Sequence, residues 1–232
     1  MDQWMQSRNV PLWGAADIQF STRLPAIFDK GLSSAISWAV PMQPDIMAGI
    51  QKGPTQAYAQ AYTSVNLRIN DIAGQLAAAI GDEGFQAVAL AASERTDPVN
   101  IRGDFPHKTA ATLAGIGWVG RHCQLITRNF GPWVRLGTVF TDMPLPCGKP
   151  LTRGFCGSCR ACVEACPAGA LSGKDWHPGI AREEILNAVA CDQWKKTHYF
   201  AFNNGHNCGI CSAVCPHGLR YLKRVSAGQQ RS

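Results

Sequence analysis

Four cysteines in the second half of the chain follow a spacing suited to binding an inorganic cluster. They are separated by two, two and three residues, and a proline follows the last: Cys156, Cys159, Cys162 and Cys166. Three thiols spaced two residues apart can wrap one loop around a single 4Fe–4S cubane, whereas the cysteine before the proline serves a second cubane. The spacing therefore predicts two clusters whose ligands interleave along the chain.

A second, partial run supplies the remaining ligands. Cys208, Cys211 and Cys215 are separated by two and three residues, and a proline again follows the last. This run lacks one upstream cysteine, which Cys191 can provide. The predicted ligands are Cys156, Cys159, Cys162 and Cys215 for the first cluster, and Cys191, Cys208, Cys211 and Cys166 for the second cluster.

Structural zinc is the main alternative for these thiols. Zinc sites usually use separated cysteine pairs in closed tetrahedral geometry, which fits the triple spacing of the first run badly. Disulfides are less favoured still. Two cysteines are left over, Cys123 and Cys147, and we interpret them as structural thiols in preference to catalytic ones.

Length and composition are sufficient for a folded core. The 232 residues, 46% of them hydrophobic, can form one large domain or two unequal ones. The first residues do not resemble an export signal, and no apolar stretch is long enough to span a membrane. We therefore expect a cytoplasmic protein that binds neither membranes nor DNA, in a compartment where cysteines are more often metal ligands or catalytic thiols.

The formal net charge of +6 is weak support for a nucleic-acid partner. An oxidised cubane with four thiolates carries about −2, so two clusters lower the net charge to about +2. A local basic patch remains near the C-terminus: Arg220, Lys223, Arg224 and Arg231. A solvated tail and an RNA contact both explain this patch.

The distribution of cysteines also divides the chain. None precedes Cys123, and proline and glycine residues punctuate the region near residue 150. We predict an α/β (α+β) domain over residues 1–150 and a bacterial ferredoxin-like double-cluster module over residues 151–232. In the first domain the predicted strands are residues 33–40, 86–92, 124–127 and 134–141, and the predicted helices run from Pro54 to near Gly81 and over residues 107–114. The last two strands are predicted to form a hairpin.

Residues 115–120, GIGWVG, match the pattern of a dinucleotide-binding glycine loop. That loop must follow a strand and open a helix, and here the predicted order is reversed. Two interpretations stay open. The backbone at Gly115, Gly117 and Gly120 could let a flat cofactor approach Trp118, because glycine has no Cβ. Alternatively, the segment is a tight turn with Trp118 in the core.

Several segments together resemble a known family. HKTAATLAGIGWVG, LITRNFGPWVRLGTVFTDMPL, CGSCRACVEACPAGAL, a lone Cys191 and CGICSAVCP occur in this order. The chain resembles the epoxyqueuosine reductases over roughly residues 104–217, and that family is in turn similar to reductive dehalogenases. The resemblance implies a flavin-reductase-like α/β domain that binds cobalamin, which a double-cluster module supplies with electrons. It also implies reduction of the epoxide of a tRNA wobble nucleoside, with the stretch Gly115–Gly120 against the corrin.

The resemblance leaves the proton donor and the substrate open. The family has an acid in a Val-Asp-Ser segment before the glycine loop, and that segment is missing from this sequence. Asp104 is the nearest upstream carboxylate, and His107 is a competing donor. The family's C-terminal helical-repeat tail, which helps to hold tRNA, is also missing, which puts a tRNA substrate in doubt. Lys108 and Arg121 flank the loop and are either partners of a cofactor phosphate or substrate, or ordinary surface cations.

The sequence is compatible with three functions. The first is an oxidoreductase that passes electrons through two 4Fe–4S clusters to cobalamin or a flavin near Gly115–Gly120. It would take electrons from a donor such as flavodoxin or ferredoxin. The second is a ferredoxin-type carrier or activator that reduces a partner's cofactor, such as that of a corrinoid protein, and binds no organic cofactor itself. The third is a tRNA-binding module with structural clusters, which the corrected charge and the missing tail disfavour.

Overall fold

The structure, a computed structural model, describes residues 1–18 and 31–229. Its helices are α1 (Asp2–Ser7), α2 (Pro44–Ala48), α3 (Gln56–Asp82), α4 (His107–Leu113), α5 (Ala161–Glu164), α6 (Arg182–Ile185), α7 (Ala188–His198), α8 (Ile210–Ala213) and α9 (Pro216–Gln229). Its strands are β1 (Leu12–Asp17), β2 (Ser34–Pro41), β3 (Ala87–Leu90), β4 (Gly117–Val119), β5 (Leu125–Thr127) and β6 (Val134–Thr141). None of the described helices combines the length and the apolarity that a membrane span requires.

Two compact units make up the chain. The sheet unit comprises Met1–Val40, Ser64–Gly117 and Arg135–Leu151. The cysteine unit comprises Pro41–Thr63, Trp118–Val134 and the chain from Thr152 onward. The cysteine unit thus combines the chain from Thr152 onward with two earlier segments, and the predicted boundary between residues 150 and 151 stays a prediction.

The sheet unit is organised by a four-stranded sheet of order β1-β2-β6-β3. β1 and β2 pair antiparallel, from Leu12 opposite Ala39 to Asp17 opposite Ser34. β3 and β6 also pair antiparallel. Together with α3 and α4, this sheet confirms the predicted α/β (α+β) class, whereas a flavin-reductase-like domain stays a prediction.

The core of the sheet unit is built by β2 and α3. Ile36, Trp38 and Val40 are alternate residues of β2 and share one face of the strand. They pack in one buried cluster with residues of α3 spaced three or four apart: Ile69, Ile72, Leu76 and Ile80. Burying each of these side chains contributes about 1.5–3 kcal/mol. The apolar spacing along α3 therefore fixes which face of the helix meets the sheet.

Most of the predicted elements are confirmed, but the predicted hairpin is wrong. β5 pairs with β4 in a separate two-stranded sheet, and β6 pairs with β3. The turn between β4 and β5 is tight: the backbone N–H of Gly120 donates to the carbonyl oxygen of Gln124 over 2.9 Å, and Cys123 has φ +61°. After β5 the chain turns on itself: Thr127 and Gly131 exchange backbone hydrogen bonds of 2.9 and 3.0 Å, so the backbone of Thr127 is already paired before β6 begins.

Trp133 is the central side chain of the cysteine unit, with 0% of its surface exposed. Its indole N–H donates to the carbonyl oxygen of Ser212 over 2.8 Å. Its ring also meets the ring of Tyr221 edge to face, with 6.4 Å between centroids. Because Ser212 lies in α8 and Tyr221 in α9, this one indole ties together the two helices that flank Cys215.

Candidate functional site: two groups of four thiols

The first cysteine run lies on a short loop and the helix that follows it. The backbone N–H of Cys159 donates to the carbonyl oxygen of Cys156 over 3.1 Å, which closes the loop between these two residues. Cys162 lies in α5, and Cys166 follows the C-terminal end of that helix. The backbone N–H of Ala170 donates to the sulfur of Cys166 over 3.4 Å. The first three thiols are therefore positioned by the loop and α5, whereas Cys166 lies on the segment that follows α5.

The second run is placed by α8. Gly209, between Cys208 and the start of α8, has φ +83°, and a Cβ there would lie 2.5 Å from Cδ1 of Ile50. Only glycine fits this conformation and this contact without strain. Cys211 lies within α8, and Cys215 directly precedes α9. The chain reversal at Gly209 thus allows the thiols on either side of it to meet.

One group of interacting thiols contains Cys156, Cys159, Cys162 and Cys215. Burial raises the pKa of Cys162 to about 11, and the thiolates of Cys215, Cys156 and Cys159 raise it further. Burial also raises the pKa of Cys215 to about 11, with smaller contributions from Cys156 and Cys159. The structure therefore brings together the four cysteines predicted to bind the first cluster.

The other group contains Cys166, Cys191, Cys208 and Cys211. Burial raises the pKa of Cys211 strongly, and the thiolates of Cys208, Cys191 and Cys166 raise it further. The pKa of Cys208 is raised by burial and by Cys191 and Cys166. These are the four cysteines predicted for the second cluster. Because Cys211 also interacts with Cys162, the two groups are neighbours, although the role of each thiol as a ligand stays a prediction.

The donor chemistry of both groups fits 4Fe–4S cubanes, which are held by four thiolates each. The raised pKa values mean that the buried thiols keep their protons near neutral pH, so cluster binding must release protons. Backbone N–H groups of His217 and Gly218 partly lower the pKa of Cys215. Hydrogen bonds of this kind to sulfur tune cluster potentials. Over residues 1–18 and 31–229, no three His, Cys, Asp or Glu side chains are arranged to hold a single metal ion.

The glycine loop is packed mainly by the protein's own atoms. Gly115 has φ +74°, and a Cβ there would lie 2.7 Å from the carbonyl oxygen of Lys149. A Cβ at Gly120 would lie 2.5 Å from Cδ1 of Ile126. Gly115 is exposed, whereas Gly117 and Gly120 are buried. Only the backbone at Gly115 is therefore open to an approaching ring, and a role for these glycines in cofactor binding stays a prediction.

Trp118 is buried, with 4% of its surface exposed. Its ring meets Phe155 and His217 edge to face, with centroid distances of 5.2 and 5.1 Å. These neighbours directly precede Cys156 and follow Pro216, so the indole packs beside the backbone that carries the first group of thiols. This contact favours the core interpretation of Trp118 over direct contact with a flat cofactor.

The predicted catalytic residues lie in the sheet unit. Asp104 is exposed, and Lys108 is half-buried in α4. Both ring nitrogens of His107 have partners: Nδ1 lies 2.9 Å from the hydroxyl of Thr138, and Nε2 lies 3.2 Å from the carbonyl oxygen of Ala91. With a neutral ring, Nε2–H donates to the carbonyl and Nδ1 accepts from the hydroxyl. This arrangement favours a structural role for His107, while the donor assignments of Asp104 and His107 stay predictions.

The remaining candidates have ordinary environments. Cys123 is buried, and Cys147 is exposed, with its thiol donating to the carbonyl oxygen of Leu145 over 3.5 Å. In the basic patch, Arg224 donates to the carbonyl oxygen of Asn129 and Arg220 lies 2.7 Å from Nδ1 of His217. Arg231 lies outside the described residues. The pattern of the chain alone did not indicate these contacts.

The cysteine unit is similar to a known cluster-binding domain. A family model described as "4Fe-4S double cluster binding domain" matches residues 155–218, a range that includes all eight predicted ligands. An epoxyqueuosine reductase of Pseudomonas aeruginosa is 31% identical over 187 residues, which cover 73% of this chain and 46% of the relative. One from Bacillus cereus is 42% identical over 130 residues, covering 49% of this chain and 30% of the relative. The chain resembles the epoxyqueuosine reductases in sequence, and its residues 155–218 match a double cluster binding domain.

Solved structures show the same fold at lower sequence identity. A catabolic reductive dehalogenase superposes with a TM-score of 0.69 at 21% identity, covering 90% of this chain and 30% of that one. The epoxyqueuosine reductase of Streptococcus thermophilus superposes with a TM-score of 0.60 at 17% identity, covering 94% of this chain and 65% of that one. The chain spans less than half the length of the curated epoxyqueuosine reductases described above.

His107 is expected to make the stability of the sheet unit depend on pH. Burial lowers the pKa of His107 to about 4, against an opposing contribution from the Ala91 carbonyl. The unfolded chain has the ordinary value of about 6.5 and binds the proton first as pH falls. The stabilisation is therefore complete above pH ~6.5 and is lost between pH ~6.5 and ~4.

We expect the free energy of unfolding to fall by up to about 3 kcal/mol across that range. Urea unfolding at several pH values, followed in the wild type and in His107→Gln, measures this loss. The variant should lose most of the slope between pH ~6.5 and ~4. Equal slopes in the two proteins would show that another group is responsible.

Proposed function

We propose that this protein is an iron–sulfur oxidoreductase that passes electrons through two 4Fe–4S clusters to a corrinoid near Gly115–Gly120. The observation that carries the proposal is the grouping of eight thiols into two neighbouring sets of four, inside a match to a double cluster binding domain. Relatives named epoxyqueuosine reductase support a reductive reaction.

The protein's own residues bind the two clusters and shield the first of them from water. The two sets of thiols bind the two clusters, and the burial of Cys162 and Cys215 keeps water away from the first cluster. Cys211 and Cys162 interact electrostatically, so the two clusters lie near enough to each other for electron exchange. Hydrogen bonds from backbone N–H groups to sulfur, such as that of Ala170 to Cys166, set the cluster potentials.

A corrinoid is the electron acceptor that the relatives favour. One similar structure is described as suggesting "a mechanism for B12-dependent dehalogenation"; it superposes with a TM-score of 0.67 at 20% identity. When bound, such a group supplies a low-potential metal centre for a reductive step. Gly115, whose backbone is exposed, and Lys108 are the residues that would hold it, on a flavin-reductase-like domain. Asp104 is the exposed acid available to supply a proton.

A ferredoxin-type carrier that reduces a partner protein's cofactor is the second candidate. It is favoured by the packing of the glycine loop, because the Lys149 carbonyl and the Ile126 side chain account for Gly115 and Gly120 without any ligand. In both cases we propose a cytoplasmic location and reduction by a flavodoxin or ferredoxin. A corrinoid protein is the partner proposed for the carrier, and a tRNA the substrate proposed for the enzyme.

Cofactor titration under anaerobic conditions separates the two candidates. Protein with both clusters is mixed with cobalamin or with FMN, and the absorption spectrum is recorded before and after mixing and after filtration. We expect cobalamin to be retained and its spectrum to change. Retention of neither compound, with cluster absorption intact, would contradict the corrinoid and flavin forms of the proposal and leave the carrier.

A pair of lysine variants gives this titration a matched control. Lys108→Met should weaken cobalamin retention about tenfold, because a charge-assisted contact is lost at the proposed site. Lys52→Met removes an exposed lysine far from any predicted cofactor residue in sequence and should leave retention unchanged. Equal effects of the two substitutions would remove Lys108 from the proposed site.

A further inference from the structure

Arg121 is a largely buried cation on the turn after β4. Only 11% of its side chain is exposed. One terminal nitrogen donates to the carbonyl oxygen of Cys159 over 2.7 Å. The other donates to the carboxylate of Asp175 over 2.9 Å, and the side chain of Asp175 is 62% exposed. The guanidinium is therefore held against the loop that carries the first thiols, with its counter-charge largely in water.

This burial has an energetic cost that the two hydrogen bonds only partly explain. Within the described part of the chain, the Nε of Arg121 is buried with no hydrogen-bond partner. A buried charge without full pairing is unfavourable. A neutral side chain could donate to the Cys159 carbonyl at lower cost, so the positive charge itself needs a reason.

The guanidinium of Arg121 lies beside the first group of thiols, because one of its nitrogens is 2.7 Å from the carbonyl oxygen of Cys159. Its interactions with Asp175, and more weakly with the thiolates of Cys156 and Cys159, raise the pKa of Arg121, so the side chain is positively charged. With a cubane bound, this group carries about −2 when oxidised and about −3 when reduced. A fixed positive charge nearby stabilises the more negative state, whereas Asp175 is screened by water and opposes it weakly.

We propose that Arg121 raises the reduction potential of the first cluster through its buried positive charge, with Asp175 as a partial counterweight. This inference rests on the proposed function only in requiring the two clusters. It assigns Arg121 a role in setting the potential of the first cluster. Arg121 is then neither a partner of a cofactor phosphate nor an ordinary surface cation, the two alternatives that the sequence left open.

The test is a redox titration of the anaerobically purified protein with EPR detection, with iron content measured on the same samples. At a fixed potential, Arg121→Gln should lower the ratio of reduced to oxidised first cluster about fivefold, and Arg121→Lys should restore most of it. Asp175→Asn should shift the ratio in the opposite direction by a smaller factor. Cys191→Ser is expected to lack the second cluster, so the EPR signal that remains in this variant identifies the first cluster.

Lys195 provides the matched control at the second cluster. Its charge lowers the pKa of Cys208, and it is paired with the buried carboxylate of Asp192 at 3.5 Å. Lys195→Gln should lower the reduced fraction of the second cluster and leave the first unchanged. Arg121→Gln should lower the reduced fraction of the first cluster and leave the second unchanged. A general destabilisation of the cysteine unit would affect both clusters.

Each outcome decides the inference. An Arg121→Gln protein with about eight iron atoms and an unchanged first-cluster ratio would overturn it, as would a shift of Asp175→Asn in the same direction as Arg121→Gln. If Arg121→Gln loses iron, the result with Asp175→Asn decides alone. The inference is then contradicted if Asp175→Asn fails to raise the ratio of reduced to oxidised first cluster. Wild-type protein without iron would instead refute the clusters of the proposed function.

Discussion

Cys166→Ser and Cys191→Ser are each expected to lower the iron content from about eight to about four atoms per chain, and the double variant is expected to lose no more. Both thiols raise the pKa of Cys211 and Cys208, so each replacement removes a ligand from the same cubane. Anaerobic iron and sulfide analysis, with the visible absorption of the clusters, measures the loss.

The interleaved pattern is tested most sharply by combining Cys162→Ser with Cys166→Ser. These cysteines belong to one sequence run but to different groups in the structure. The double variant should therefore hold almost no iron. If each run bound its own cluster, the same protein would keep about four iron atoms, and the assignment made here would be wrong.

Cys147→Ser is the matched control for these variants. Cys147 is an exposed cysteine outside both groups, and its thiol contacts only the Leu145 carbonyl among the hydrogen bonds of the described chain. Its replacement should leave the iron content unchanged. Cys162→Ser alone should lose about half of the iron, because its neighbours Cys215, Cys156 and Cys159 form the first group.

Trp133→Ala is expected to destabilise the cysteine unit by about 3–5 kcal/mol. The indole is fully buried, and its removal leaves a cavity between α8 and α9. It also leaves the carbonyl oxygen of Ser212 without its donor, which costs about 1–3 kcal/mol when the group stays buried. Loss of cluster absorption in increasing guanidinium chloride, under anaerobic conditions, reports the stability of this unit.

Trp133→Phe separates the two contributions of the indole. It keeps much of the aromatic volume and removes the N–H that donates to the Ser212 carbonyl, so we expect a smaller loss of about 1–3 kcal/mol. Equal destabilisation by alanine and phenylalanine would show that the ring volume contributes little and that the hydrogen bond dominates. Initial iron content should match the wild type in both variants, because Trp133 is not a predicted ligand.

The spacing of residues along the chain determined several helices and strands of this protein and the cysteines that can bind clusters. The apolar residues of α3 recur every three or four positions, and the alternate residues of β2 share a face, so both elements and their buried sides follow from local geometry. The two groups of thiols were also predicted from the sequence: the two-residue spacings bring Cys156, Cys159 and Cys162 to one cubane, and the Cys-Pro pattern of two-cluster ferredoxins assigns the last cysteine of each run to the other cluster.

Only the tertiary structure decided which elements meet when many residues separate them. The sequence predicted β5 and β6 as strands but paired them wrongly, because strand propensity does not specify a partner. The contacts of Arg121 with Cys159 and Asp175, and of His107 with Thr138, likewise depend on distant parts of the chain. Local spacing fixes what lies within a few residues, whereas the burial of a charge or a ring depends on the whole packed unit.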